Sequence, residues 1–146
     1  MDPKPLALCA GVAALLLASP ARAADDPLAA DLRAVVERQV AAFNAKDVPA
    51  ALATLHTKSP EYRSTEEELV ALFKDENLSA SLASFQYVGH DDEFAVARVK
   101  LRVGAPAGDE FVDNTSDTMT LFHQEDGAWR IWGDYLIGVQ TLEPIP

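Results

Sequence analysis

The hydrophobic pattern of this chain changes its period once, at about Ser81. Before that point, apolar residues recur at steps of three and four, which is typical of helices with one buried side. After it, apolar and polar residues alternate, which is typical of strands with one buried face. Helices followed by strands predict an α+β domain in which the helices pack on an antiparallel sheet.

Three helices are predicted before the change of period. Asp26 is the predicted N-cap of a long first helix, and Asp47 begins a short second one. A capping-box pattern at 64–67 or 65–68 predicts the start of a third helix that ends near Asn77. The predicted buried side of the first helix consists of Leu28, Leu32, Val35, Val36, Val40 and Phe43.

Four strands are predicted after the change, at residues 81–88, 94–103, 110–123 and 129–142. Short segments with glycine, proline or acidic residues separate them, and such segments are typical of hairpin turns. The strands are therefore expected to follow one another across the sheet.

Residues 1–23 have the pattern of a Sec-type signal peptide. Lys4 precedes an apolar run at 6–18 that is too short to span a bilayer, and alanines at 21 and 23 form an A-x-A cleavage site. We expect cleavage before Ala24 and a periplasmic or extracellular location. Residues 24–146 are then one domain of 123 residues.

The charge and the cysteine content narrow the function classes. The chain has 12 basic and 23 acidic residues, a net charge of −11, which disfavours binding to nucleic acid or to an anionic membrane. Its only cysteine, Cys9, lies in the predicted signal, so the mature domain has no cysteine for a disulfide or a metal site. His56, His90 and His123 lack the paired spacing of metal ligands, and no metal or other cofactor is expected.

Three segments, AAFNAKD at 41–47, AALATLH at 50–56 and FHQEDGAWRI at 122–131, resemble the nuclear-transport-factor-2-like (NTF2-like) superfamily. That superfamily includes steroid isomerases, scytalone dehydratase and SnoaL-type cyclases, and the resemblance covers nearly the whole mature chain. It implies a cone-shaped, cystatin-like fold, in which a strongly bent sheet wraps around the long helix and leaves a pocket at its open end. It also implies a homodimer that packs sheet against sheet.

The steroid-isomerase residues are not matched at the corresponding positions. Gln39 replaces the oxyanion-hole tyrosine that the resemblance implies, and Met119 replaces the protonated aspartic acid. Glu61 is the only carboxylate in the loop that would hold the general base, and its spacing differs. Without the oxyanion donors such an enzyme loses most of its rate, so this chemistry is not expected.

Asp117 and Asp134 are the candidate catalytic residues, because carboxylates in the middle of strands are unfavourable unless they have a role. If both point into the cone, they form an acid/base pair or orient a polar ligand, with Arg130 as counter-ion. The alternative is that both face solvent and pair with basic residues of the second strand, Arg98, Lys100 or Arg102.

The predicted ligand-binding residues are Tyr62, Met119, Arg130 and Trp132. The leading hypothesis is an exported, non-catalytic domain that binds a small apolar ligand or a protein partner. The first alternative is a cofactor-free lyase, isomerase or hydrolase that uses the pocket carboxylates on a hydrophobic substrate. The second is a dimeric interaction module.

Overall fold

The computed structural model describes residues 26–75 and 77–142. The signal-peptide prediction falls on residues outside this part and stays a prediction. Within the described part, no helix is long and apolar enough to cross a membrane. The elements, in chain order, are α1 (Pro27–Asn44), α2 (Val48–Leu52), α3 (Tyr62–Asp75), β1 (Ser79–His90), β2 (Phe94–Gly104), β3 (Asn114–Glu125) and β4 (Ala128–Thr141). The α+β class is thus confirmed.

The helix starts agree with the sequence in two cases and differ in the third. Asp26 accepts a hydrogen bond from the backbone N–H of Leu28 at 2.9 Å, and Asp47 accepts one from Ala50 at 3.0 Å, as N-caps do. The predicted capping boxes of α3 are wrong, because the helix already begins at Tyr62. Ser59 closes the preceding turn, since its Oγ accepts from the N–H of Glu61 at 3.1 Å.

The sheet has the strand order β1-β2-β3-β4, with every neighbouring pair antiparallel, as the sequence predicts. Register shifts interrupt the pairing at two points between β1 and β2 and at two points between β3 and β4. Bulges of this kind bend and twist a sheet locally. We call the side that faces the helices the inner face; it carries Ala95, Ala97, Val99, Phe122 and Ile131.

Residues 54–56 extend the sheet beside β4. The N–H of Ile131 donates to the carbonyl of Thr54, and the N–H of His56 donates to the carbonyl of Ile131, both at 2.8 Å. The hydroxyl of Ser59 then donates to the carbonyl of Trp132 at 2.5 Å. These bonds hold the α2–α3 loop on the edge of β4 and bring Glu61 beside that strand.

The core lies between the first half of α1 and the inner face. The side chains of Leu32, Val35 and Val36 are at most 2% exposed, and they pack against equally buried residues of β2, β3 and β4. Two of those residues, Ala95 and Ala97 of β2, are small and fully buried. This end of the cone is therefore filled with protein.

Candidate functional site

A cavity of about 180 Å³ lies at the other end of the cone, between α1, α3 and the inner face. Side chains of the helices, of the sheet and of the segment that follows α2 form its walls. They are Gln39, Val40, Phe43, Ala51, Leu55, Thr65, Leu69, Ala80, Leu101, Val103 and Asp134.

The cavity exists because α3 covers the sheet loosely. The residues on the inner side of α3 are only half-buried, and none is fully buried; they are Tyr62, Thr65, Leu69, Leu72 and Phe73. The rings of Phe43 and Phe73 meet edge to face, with centroids 5.3 Å apart, and join the ends of α1 and α3. Between this contact and the packed core, space remains for a small molecule.

Asp134 is the only ionisable residue among the described residues that line the cavity. Its Oδ1 accepts a hydrogen bond of 2.6 Å from the hydroxyl of Thr120, which is 2% exposed on the neighbouring strand. The hydroxyl of Thr118 lies 3.4 Å from that of Thr120 and donates to the carbonyl of Val99 at 3.3 Å. The carboxyl group is thus held in place by the buried hydroxyl of Thr120.

The surroundings of Asp134 raise its pKa above the ordinary value of an aspartate. The residue is exposed to solvent on the edge strand β4, while its carboxyl group borders the cavity and packs against Thr120. Burial raises the pKa of Asp134, the hydrogen bond from Thr120 opposes this, and the nearby charge of Glu61 raises the pKa further. Glu61 also faces the backbone here, since its Oε2 lies 3.4 Å from the N–H nitrogen of Asp134.

The other candidate catalytic residue, Asp117, lies away from the cavity on the outer face of the sheet. Its carboxylate accepts two hydrogen bonds from Arg98, at 2.6 and 2.9 Å, and lies 3.8 Å from the ammonium of Lys100. The bond from Arg98 is the main reason that the pKa of Asp117 is lowered. For Asp117 the alternative interpretation, a cross-strand ion pair, therefore describes the structure.

The four predicted ligand-binding residues are not among the residues that line this cavity. Met119 alternates with Thr120 and so lies on the outer face, paired in register with Arg98 and Tyr135. The guanidinium of Arg130 donates to the carbonyl of Ala53 and lies 3.7 Å from Glu125.

Tyr62 packs against the core beside the cavity. Trp132 belongs to an aromatic cluster, with its ring centroid 5.0 Å from that of His56, 5.3 Å from that of His123 and 6.0 Å from that of Phe94. These contacts place Trp132 among histidine and phenylalanine rings, and they leave Asp134 as the one candidate residue in the cavity wall.

Several lining residues did not stand out in the sequence as site residues. The sequence marks Gln39 only as the replacement for an isomerase tyrosine, yet it lies in the cavity wall with Thr65 and Leu69. Thr120 supports the site from behind. One feature points to the site: Thr120 is a polar residue at an inner position of β3, and it is paired in register with Asp134 on β4.

Among residues 26–75 and 77–142, no group of three or more histidine, cysteine or acidic side chains is placed to hold a metal. His56 is occupied by the backbone: its Nδ1 accepts from the N–H of Lys58 at 3.1 Å, and its Nε2 lies 3.3 Å from the carbonyl of Gln124.

Solved structures identify the class of fold. A ketosteroid isomerase-like protein from Erwinia carotovora atroseptica is 16% identical, with a TM-score of 0.60 over 82% of this chain and 99% of that one. An NTF2-like protein from Pseudomonas putida is 15% identical, with a TM-score of 0.62 over 75% and 84%. A protein with a cystatin-like fold from Nostoc punctiforme is 12% identical, with a TM-score of 0.60 over 73% and 87%. The NTF2-like fold is thereby confirmed.

A sequence family is also shown. Residues 34–142 match the family described as the C-terminal domain of the anti-sigma-I factor RsgI9, and this match covers most of the chain. The chain belongs to that family. Among curated proteins, none matches the sequence.

Proposed function

We propose that this domain binds a small, largely apolar molecule in the cavity between α1, α3 and the sheet. The observation that carries the proposal is the composition of the cavity wall, which is apolar apart from Gln39, Thr65 and Asp134. Apolar pockets with a few polar groups are the usual form of small-molecule sites. A cavity of roughly 150 Å³ holds benzene, so about 180 Å³ suits one ring with a short substituent.

Binding without catalysis is favoured by what lines the cavity. General acid/base catalysis needs a proton-transfer group and donors that stabilise the charge formed in the transition state. The described residues of the wall offer one carboxyl group, one amide and one hydroxyl. The family name also supports a binding role, since it comes from a domain of an anti-sigma factor and not from an enzyme.

A cofactor-free enzyme is the second candidate, and one observation favours it. Asp134 has a raised pKa and borders the cavity, which is the arrangement of a carboxyl group that acts as a general acid. An enzyme would lose about 10²–10⁴-fold in turnover when Asp134 is replaced by asparagine. A binding domain would form no product from any bound compound.

Export and dimerisation remain proposals as well. N-terminal sequencing of the mature protein is expected to begin at Ala24. The second half of β4 exposes apolar side chains, among them Leu136 at 63% and Val139 at 55%, and these support a homodimer. Sedimentation of the mature chain tests the dimer, and Leu136→Lys is expected to weaken it.

The cavity is tested with benzyl alcohol as the probe and two tryptophan variants of α3. Leu69 points into the cavity, whereas the neighbouring Val70 is 55% exposed. Leu69→Trp is therefore expected to fill the cavity and abolish binding in titration calorimetry, and Val70→Trp is expected to leave it unchanged. Val103→Phe fills the same space from β2, in case Leu69→Trp does not fold.

Binding that survives in both filled variants, with cooperative unfolding intact, would overturn the proposal. The proposal would also be overturned if the unaltered protein bound none of benzyl alcohol, toluene and benzylamine.

A further inference from the structure

We infer that the molecule bound in this cavity carries a positively charged nitrogen next to its apolar ring. This inference rests on the proposed function and names the chemical class of its ligand. It follows from the charges and hydrogen bonds around Asp134.

The carboxyl group of Asp134 has no cationic partner in the described part of the chain. The ion pairs there join the basic residues to other carboxylates, such as Arg98 to Asp117 and Arg102 to Asp113. Lys46 is the cation near the end of α1, but it donates to the carbonyl of Leu78, and its ammonium lies over the rings of Phe43 and Phe73. Among the described residues that line the cavity there is no lysine, arginine or histidine.

A second acidic group, that of Glu61, lies nearby at the edge of β4, against Gly133. Glu61 faces the backbone N–H of Asp134, and neither of these two residues takes part in an ion pair among the described residues. The carboxylate of Asp134 gives the apolar cavity a negative potential, and the nearby carboxylate of Glu61 adds to it. A ligand cation would neutralise it.

The hydrogen bonds of Asp134 leave room for a donor. Thr120 occupies Oδ1, and Oδ2 has no hydrogen-bond partner among the described residues. An ammonium group brings N–H donors together with the opposite charge, and such charge-assisted bonds are about twice as strong as neutral ones. An anionic ligand would meet the carboxylate of Asp134 and, among the described lining residues, no cation. An alcohol would gain one hydrogen bond to the carboxylate without neutralising its charge.

The test compares three compounds of the same size, namely benzylamine, benzyl alcohol and toluene, by calorimetry on the mature protein at neutral pH. Benzylamine is expected to bind at least about 10-fold more tightly than benzyl alcohol. Asp134→Asn is expected to abolish this preference while benzyl alcohol still binds. Asp117→Asn is the matched control, because it removes a carboxylate of the outer face, and it is expected to keep the preference.

The outcomes separate this inference from the proposed function. Equal affinities for benzylamine and benzyl alcohol, both lost in Leu69→Trp, would overturn the cationic ligand and leave the binding cavity standing. A benzylamine preference that persists in Asp134→Asn would also overturn it, since the charge would then be recognised elsewhere. No binding by any of the three compounds would overturn both proposals.

Discussion

The two ends of α1 lie against the same sheet but in different surroundings. At the first end, Leu32, Val35 and Val36 are at most 2% exposed and meet the small residues of β2. Two turns later, Gln39 and Val40 continue the same side of the helix and border an open cavity. The apolar stripe is continuous, so the sequence of α1 alone does not determine which part of it is packed.

This difference in packing comes from the residues that cover each end of α1. Phe122 and Ile131, both at most 1% exposed, fill the space beside the first half of α1. The second half is covered by α3, whose inner residues are half-buried. The comparison suggests that one end contributes most of the folding free energy and the other retains space for a ligand.

The largest expected effect comes from a large core residue at the packed end. Phe122→Ala is expected to lower the free energy of unfolding by about 3–5 kcal/mol, because it leaves a void in a region with no exposed surface. Urea denaturation measures this. Val103→Ala, in the cavity wall, is the control and is expected to cost less than about 1.5 kcal/mol. Similar losses in the two variants would mean that the ends are packed alike.

A smaller effect on stability is expected when a larger side chain is inserted at each end of α1. Ala97→Leu inserts a larger side chain against α1, where Ala97 is 0% exposed, and is expected to cost about 1–3 kcal/mol. Ala80→Leu points into the cavity and is expected to be tolerated. Thermal unfolding of both variants makes the comparison, and a large loss in Ala80→Leu would show that the cavity is too small for a ligand.

The sequence predicted the fold well because local patterns determine most of it. Asp26 and Asp47 are N-caps whose side chains bond within their own first turn, and the meander follows from four alternating segments joined by short turns. The start of α3 was missed because Ser59 and a backbone bond to Tyr62 close the turn before the helix. The spacing of residues in the sequence does not show which of the two possible starts of α3 forms.

The site was harder to predict, because it depends on which face each strand residue occupies. Leu121 pairs with Gly133 and Phe122 with Ile131, so Trp132 is an extra residue in β4. One extra residue shifts every later side chain to the opposite face. The simple alternation therefore could not show that Trp132 would join the histidines while Asp134 would line the cavity.

Two aspartates of the sheet lie in opposite surroundings, Asp134 in the cavity wall and Asp117 in an ion pair. An aspartate in an unfolded chain has a pKa of about 3.9, and burial raises the pKa of Asp134 above this in the folded state. As pH rises from below 3.9, the unfolded chain ionises first, so the wild-type protein loses stability until it passes the raised pKa. Asparagine cannot ionise and shows no such loss.

Asp134→Asn is therefore expected to raise Tm at pH 7, and the gain should shrink to nearly zero at about pH 3.5. Water screens part of the cost of ionising Asp134, so the rise in Tm is small, roughly 2 °C.

Asp117→Asn is expected to lower Tm at pH 7, because the hydrogen bond from Arg98 lowers the pKa of Asp117. Its ionised form stabilises the fold above the unfolded pKa, and that contribution is lost as pH falls through the lowered folded pKa. Thermal scans across this range test both signs, and a lower Tm for Asp134→Asn at pH 7 would show that its ionised carboxylate already has a favourable partner within the protein.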